Sequence, residues 1–562
     1  MNTSGFVQIA LYVGALIVLT PLLGGFMARV LRGERHILSV PLGWLERYIY
    51  RVTGVDPSEE TDWKTYAWAV VTFNFFGFVA VFLLQTTQQW LALNPQNLPA
   101  VSWHSSFNTA VSFMTNTNWQ GYAGEETMSH FTQMLGLTVQ NFVSAATAVG
   151  VLLALVRGLT RKTSKTLGSF WTDLVRTTVY ILLPLSVILT IALVSQGVVQ
   201  TIPNETVKTL EGQEQTIALG PAASQIAIKQ LGTNGGGFFN ANSAVPFENP
   251  TPFSNFLEML AILLIPAALT YTYGKLIGNR KHGWLIFGVM LLLWLGGLAA
   301  SLYSEYSHNG ATGTTVNMEG KEVRFGVVNS VIWSTATTAA SHGSVNAMHS
   351  SLTPIAGGVA MFNMMLGEVI FGGVGCGLYG MVLFIMLTVF LAGLLVGRTP
   401  EYLGKKIEAR DIQMVIVAII APSAALLIFA GISSVIRPGL SSLANGGPHG
   451  LSEILYAFAS CAGNNGSAFA GLNANTVYYN VMLGLTMLIG RFAVLIPVLA
   501  IAGHMGPKKL SPPSAGTFST NSGIFAILLI GVILIVGALT FFPALSLGPI
   551  VEQFLINAGQ TF

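Results

Sequence analysis

Charged side chains are scarce in this sequence. Only 9% of its 562 residues are Asp, Glu, Lys or Arg, against about 25% in a soluble domain. That shortage, with 52% hydrophobic residues, excludes a string of soluble domains, although length alone suggests about four. Cysteine is scarcer still. The two, Cys376 and Cys461, lie in or beside apolar segments without zinc-type spacing, which argues for packed thiols and against a disulfide scaffold. A GxxxxGK[ST] loop for nucleotide phosphates is missing, as is a DKTG-like phosphorylation loop, and no polar loop is long enough to fold a nucleotide domain. The chain by itself is therefore not expected to hydrolyse ATP. His342 has no second histidine at ligand spacing, which argues against a transition-metal site.

Long apolar runs are what the sequence does have. Ten match the ~20 residues that cross a bilayer, near 7–28, 65–88, 132–156, 178–197, 254–274, 283–303, 352–397, 412–434, 476–502 and 523–545. The first reads as a retained span rather than a signal peptide, because its positive charges follow the apolar run instead of preceding it. Of 26 Lys and Arg, 20 fall in the segments after spans 1, 3, 5, 7 and 9. Lys208, Lys229, Lys321, Arg324 and Arg437 lie on the other side, and Arg491 lies inside span 9. Basic loops stay cytoplasmic, so both termini are expected outside. The fold class is an all-α polytopic membrane protein.

Every outer loop between spans 2 and 9 repeats one design. A half-apolar stretch of about three helical turns, too short to cross, leads into a small polar triplet. The triplets are Asn116-Thr117-Asn118, Thr233-Asn234-Gly235, Ser341-His342-Gly343 and Asn464-Asn465-Gly466, at intervals of 117, 108 and 123 residues. Such periodicity is an internal repeat. It divides the chain into a first span and loop (1–64), four span–half-helix–loop–span units (65–156, 157–280, 281–410 and 411–510) and a last span with its tail (511–562). Non-helical backbone at membrane depth is tolerated where it is buried in protein or lines a water-filled cavity. Four such loops around one axis bring carbonyl oxygens to a common point, as in a filter for monovalent cations. The half-helices aim the negative ends of their dipoles there. No triplet holds a carboxylate, which disfavours a divalent ion. Glycine fits the close, left-handed backbone such loops need. The first triplet has Asn118 instead, the non-glycine type that best tolerates that conformation.

The seventh run is about twice too long for one crossing. Its centre, "MFNMMLGEVIFGGVGCGLYG", is expected to break near 371–377, at Gly372, Gly373, Gly375 and Gly377, into two half-helices with Glu368 at the break. Broken helices mark ion sites and gates. Glu368 and Arg491, ionisable groups among spans, are candidate partners on the path or gate. Arg398, at the end of the same run, reads as an interfacial anchor. The stretch Arg161–Thr178 carries Leu167, Phe170, Trp171, Leu174 and Val175 at helical spacing. It reads as an amphipathic segment lying on headgroups or docking a partner.

The stretches "TNGGGFFNANSAVPFENPT", "NTNWQGY", "SVNAM", "MMLGEVIFGGVGCGLYGM", "GNNGSAFAGL" and "MLIGRFAVLIPVLAIAG" resemble the signatures of the potassium-binding A subunits of bacterial Kdp pumps, relatives of the Trk/Ktr transporters. The resemblance covers essentially the whole chain. It implies a four-unit pore fold with potassium as the transported ion at the twelve triplet residues, and no nucleotide bound by this chain. It also implies assembly with the catalytic P-type ATPase (B) and the small C and F subunits of the same pump, in a bacterial cell membrane. In the Trk/Ktr relatives a loop at the position of the break plugs the path below the filter. A gradient-driven transporter of the Trk/Ktr type is the alternative, and it differs in needing no ATPase partner. A nucleic-acid partner is not expected.

Overall fold

In the computed structural model, residues 3–311, 313–397, 399–511 and 518–561 are described; Arg398 lies outside them. Among the described residues, ten helices are long and apolar enough to span a membrane, and five shorter helices complete the repeating pattern. In chain order these are α1 (Thr3–Leu31), α2 (Trp63–Trp90), α3 (Trp103–Met114), α4 (Thr132–Thr160), α5 (Phe170–Ser195), α6 (Ala222–Leu231), α7 (Pro252–Leu276) and α8 (Arg280–Glu305). They continue with α9 (Gly326–Ala339), α10 (Pro354–Met365), α11 (Cys376–Val396), α12 (Ala409–Ser433), α13 (Gly447–Ala462), α14 (Val477–Met505) and α15 (Gly523–Asn557).

Several spans begin where a short polar side chain satisfies a free backbone N–H. Asp62 caps α2 through the Thr65 amide, Asn279 caps α8 through that of His282, and Thr476 caps α14 through that of Tyr479. Thr251 and Ser254 close a reciprocal capping box on α7. Such caps contribute about 0.5–2 kcal/mol each and fix the register at which each helix enters the apolar layer.

Burial separates two shells. The helix that follows each short helix is mostly buried in its apolar window: 83% for α4, 78% for α7, 61% for α11 and 56% for α14. The helices before them are less so, with α2 at 17%, α5 and α8 at 44% and α12 at 28%. The inner shell is therefore α4, α7, α11 and α14, with small residues letting backbones approach. A Cβ on Gly158 of α4 would lie 2.4 Å from the Ala502 carbonyl of α14. Helix α1 packs along α7, outside the repeats.

The Arg161–Thr178 stretch does not lie flat as one amphipathic segment. Residues 161–169 are non-helical, and the rest is the first part of α5. Leu167, Phe170 and Leu174 are buried, and Asp173 pairs with Arg157 of α4 at 2.5 Å. The helical spacing marked a face that packs on α4 instead of on lipid.

Two short hairpins lie outside the helical layer. One, of β1 (Glu205–Lys208) and β2 (Glu214–Ile217), joins α5 to α6. The other, of β3 (Glu401–Tyr402) and β4 (Lys405–Lys406), follows α11 on the face of the basic loops. There the Tyr402 hydroxyl meets that of Tyr273 on α7 at 2.6 Å. Lys405 is buried and donates to the carbonyls of Gly158 (2.8 Å) and Arg161 (2.6 Å) at the end of α4, and to Met505 (2.8 Å) at the end of α14. A cation suits helix C-termini, where carbonyls carry partial negative charge. One hairpin thus ties together the ends of all four inner helices. Lys405→Met is expected to lower the thermal midpoint of the purified protein, at a cost of about 1.5–3 kcal/mol, the range for hydrogen bonds to a charged group. An unchanged midpoint would remove the clasp from this account.

Candidate ion-binding ring

The short helices α3, α6, α9 and α13 all stop in the same way. The N–H of Thr117, Asn234, His342 and Asn465 donates to the carbonyl five residues earlier: Ser112 at 2.9 Å, Lys229 at 2.9 Å, Thr337 at 3.2 Å and Ser460 at 2.7 Å. The residue just before each of these is left-handed, with φ of +67° at Asn116, +50° at Thr233, +52° at Ser341 and +52° at Asn464. This is the Schellman cap, which usually takes glycine at the left-handed position. Here all four residues are polar, and a β-branched threonine at positive φ is a genuine outlier. Sequence reading identified the triplets but missed that their first members carry the turn.

The side chains at those positions show why glycine is not used. Asn116 donates to the Thr233 carbonyl (3.0 Å), Ser341 donates to the Asn464 carbonyl (2.8 Å), and Asn464 donates to Thr117 Oγ1 (2.9 Å). Between the second and third loops, the Gly343 amide donates to the Asn234 carbonyl at 3.1 Å. The four loops therefore close a ring in the order one, two, three, four, one. His342 and Asn465 reach sideways, His342 to the Lys229 carbonyl (3.1 Å) and Asn465 to the Thr337 carbonyl (2.9 Å).

Third members of the triplets sit where the loops touch. A Cβ on Gly466 would lie 1.8 Å from the Thr117 carbonyl oxygen, and one on Gly235 would lie 2.1 Å from the Gly343 amide. Asn118, Gly235 and Gly466 are left-handed, at +58°, +93° and +94°. Gly343 is not, and it is needed for closeness: its Cβ would lie 2.9 Å from the Gly466 carbonyl carbon. All four residues line one open cavity on the face opposite the basic loops. The C-terminal, partially negative ends of four helices thus converge beneath a single mouth. The neighbouring Gly236 and Gly237 make room for side chains of Asn118, Asn242 and Glu248. Lys229, Asn242 and Glu248 were missed in the sequence because their burial depends on this fold-back.

Directly against the ring runs the non-helical stretch 366–375 between α10 and α11. Gly367, Gly372 and Gly375 are left-handed there, as are Glu368 and Phe371; Gly373 is not, and a Cβ on it would meet Ser341 at 2.8 Å. The break begins earlier than the glycine pattern suggested, at Leu366, and ends at Gly375, so Gly377 lies inside α11. Gly372 N–H donates to the Ala339 carbonyl (3.1 Å), and Val374 N–H donates to Thr233 Oγ1 (2.9 Å).

A second, much narrower cavity lies on this side and is lined by Glu368, Arg491, Gly463 and Asn464 among mostly apolar residues. The expected Glu368–Arg491 contact pair does not form. Arg491 Nη2 donates to the Ser144 carbonyl of α4 at 3.1 Å, its Nε has no partner, and Glu368 Oε1 has none either. The arginine is held by the α4–α14 interface, whereas the glutamate is carried on a left-handed loop residue, so the two share a cavity without touching.

A family model described as "Potassium-transporting ATPase A subunit" matches residues 10–554. This chain belongs to that family. Within it, a potassium-transporting ATPase potassium-binding subunit of Methylorubrum extorquens is 55% identical over 100% of this chain and 99% of its own length. The same-named protein of Herpetosiphon aurantiacus is 54% identical over 99% and 100%. Among solved structures, the potassium transporter TrkH from Vibrio parahaemolyticus matches the fold with a TM-score of 0.53 at 13% identity, covering 88% of this chain and 98% of that one.

The separation of these two buried ionisable groups makes a specific forecast. Breaking a contacting buried pair costs about 3–5 kcal/mol. For Glu368→Gln and Arg491→Gln, a double-substitution cycle on thermal stability is expected to give a coupling toward the lower end of the ~0.5–3 kcal/mol found for groups that share a cavity. A coupling in the range of a contacting pair would show that they meet.

Proposed function

We propose that the ring formed by the triplets at 116–118, 233–235, 341–343 and 464–466 takes up potassium from the outer cavity. The chain acts as the ion-binding subunit of an ATP-driven uptake pump. The reading rests on one observation: four capped helix ends close into a ring under one mouth, with backbone, amide and hydroxyl oxygens and no carboxylate in any triplet. Uncharged oxygens in a ring replace the hydration shell of a monovalent cation, whereas hard divalent ions draw on carboxylates.

From the ring, the ion passes the break at 366–375, with Glu368, Arg491, Gly372, Gly373 and Gly375 on its path or gate. The four repeats take the boundaries 65–156, 157–280, 281–410 and 411–510. The chain sits in a bacterial cell membrane with its basic loops inside and both termini outside. Energy comes from the catalytic P-type ATPase (B), with the small C and F subunits completing the complex, and nucleotide stays on that catalytic partner.

Potassium-stimulated ATP hydrolysis by the purified, co-expressed complex tests this. Gly466→Ala places a methyl group on the Thr117 carbonyl and forces a left-handed alanine, which costs about 1–2 kcal/mol. The apparent KM for potassium is expected to rise about tenfold or more, and discrimination against sodium to fall. Unchanged KM and discrimination in a complex that carries the substitution would overturn the assignment of the ring.

A further inference from the structure

The fourfold pattern is broken at one position. The carbonyl that receives each triplet's central N–H belongs to Ser112, Lys229, Thr337 and Ser460. Three of these are small hydroxyl residues, and each hydroxyl bonds back to its own loop. Ser112 Oγ donates to the Trp119 carbonyl (3.0 Å), Thr337 Oγ1 donates to the His342 carbonyl (2.7 Å), and Ser460 Oγ accepts from the Gly466 amide (3.0 Å). The second repeat has a lysine instead, with a side chain 0% exposed.

Lys229 reaches its loop indirectly. Its ammonium donates to Asn242 Oδ1 (2.8 Å) and forms a salt bridge with Glu248, which is also 0% exposed. Asn242 Nδ2 in turn donates to the Gly235 carbonyl at 2.8 Å. The other oxygen of Glu248 accepts the amides of Phe238 and Phe239, each at 3.0 Å. A fully buried ion pair is an expensive device, because desolvation offsets much of its attraction. A serine at 229 would be too short to reach Asn242 and Glu248. Here the pair spans the whole glycine-rich return of the second loop, from Gly235 to Phe239.

We propose that Lys229 and Glu248 are positioning residues for ion discrimination. Through Asn242 they fix the orientation of the Gly235 carbonyl, so the second quadrant of the ring is set by a charged strut and the other three by hydroxyls. The proposal rests on the reading of the ring as a potassium filter. Its signature is a change in which ion is preferred, because a tilted carbonyl alters the size and field of the site.

The test uses the assembled complex, with potassium and rubidium as probes of ATP hydrolysis, in Lys229→Met, Glu248→Gln and Asn242→Ala. Asn242→Ala leaves the salt bridge in place and removes the link to Gly235, so it serves if Lys229→Met or Glu248→Gln does not assemble. The expected result is a potassium KM raised about three- to tenfold, the scale of one lost hydrogen bond. The potassium-to-rubidium preference should shrink, and kcat should fall less than KM rises. A lower thermal midpoint with an unchanged ion preference in Asn242→Ala would overturn the proposal and leave the strut as scaffolding. Gly466→Ala, run alongside, separates the two failures: if it alters preference and Asn242→Ala does not, only the strut is wrong. If neither does, the filter reading falls, and this proposal with it.

Discussion

Four short helices that end buried inside the protein set the terms for the rest of this structure. A helix end leaves four carbonyls without intrahelical partners, and hydrocarbon offers no water to satisfy them. Each of α3, α6, α9 and α13 meets that demand with its own cap, His342 and Asn465 add donors to the Lys229 and Thr337 carbonyls of α6 and α9, and the loops beyond the caps bond to one another. No single loop is self-sufficient. The ring is therefore the smallest unit that satisfies its members, and the burial of α4, α7, α11 and α14 follows from packing four such ends around one centre. Strain at Thr233 and Ser341, of the order of 1–3 kcal/mol per unusual backbone conformation, persists because neighbouring loops hold those residues from several sides.

Much of the architecture was legible in the sequence because it is written locally. Apolar runs of bilayer length gave all ten spanning helices, with boundaries drifting where α5 starts at Phe170 and α15 continues to Asn557. The polar triplets were visible because their setting, a half-length apolar stretch followed by small residues, recurs four times. The interior of the site was not legible in the same way. Asn116 and Asn464 look like loop residues until the fold sets them against partners more than a hundred positions away. Lys229 and Lys405 are basic residues in loop-like sequence, and charge counting assigns such residues to water. The fold instead buries both among oxygen atoms. Glu368 and Arg491 were matched by opposite charge alone, which says nothing of direction. The side chain of Arg491 points to α4.

The repeats agree in backbone and differ in chemistry. Their caps use the same hydrogen bond, yet the third member is asparagine in one and glycine in three, and Gly343 escapes the left-handed conformation of the others. Among the described residues, only the third repeat breaks the helix after its triplet, and buried ion pairs hold the second repeat's loop through Lys229 and Glu248 and the third repeat's outer segment through Lys321 and Glu305. The shared cap sets four loops in one closed ring, while these departures give each quadrant its own attachment to the scaffold.

Two of those attachments meet. The hydroxyl of Thr233 accepts the Val374 amide, and the carbonyl of Ala339, at the end of α9, accepts that of Gly372. The stretch between α10 and α11 is thus bonded to the second and third quadrants at the residues that form their turns. A displacement of that stretch removes a partner from Thr233, whose β-branched side chain is held at positive φ by such contacts. Any rearrangement of the break therefore gives up a bond to the second quadrant, a bond to the third, or both. The break is tied to the ring through these two backbone amides, without any contact between Glu368 and Arg491.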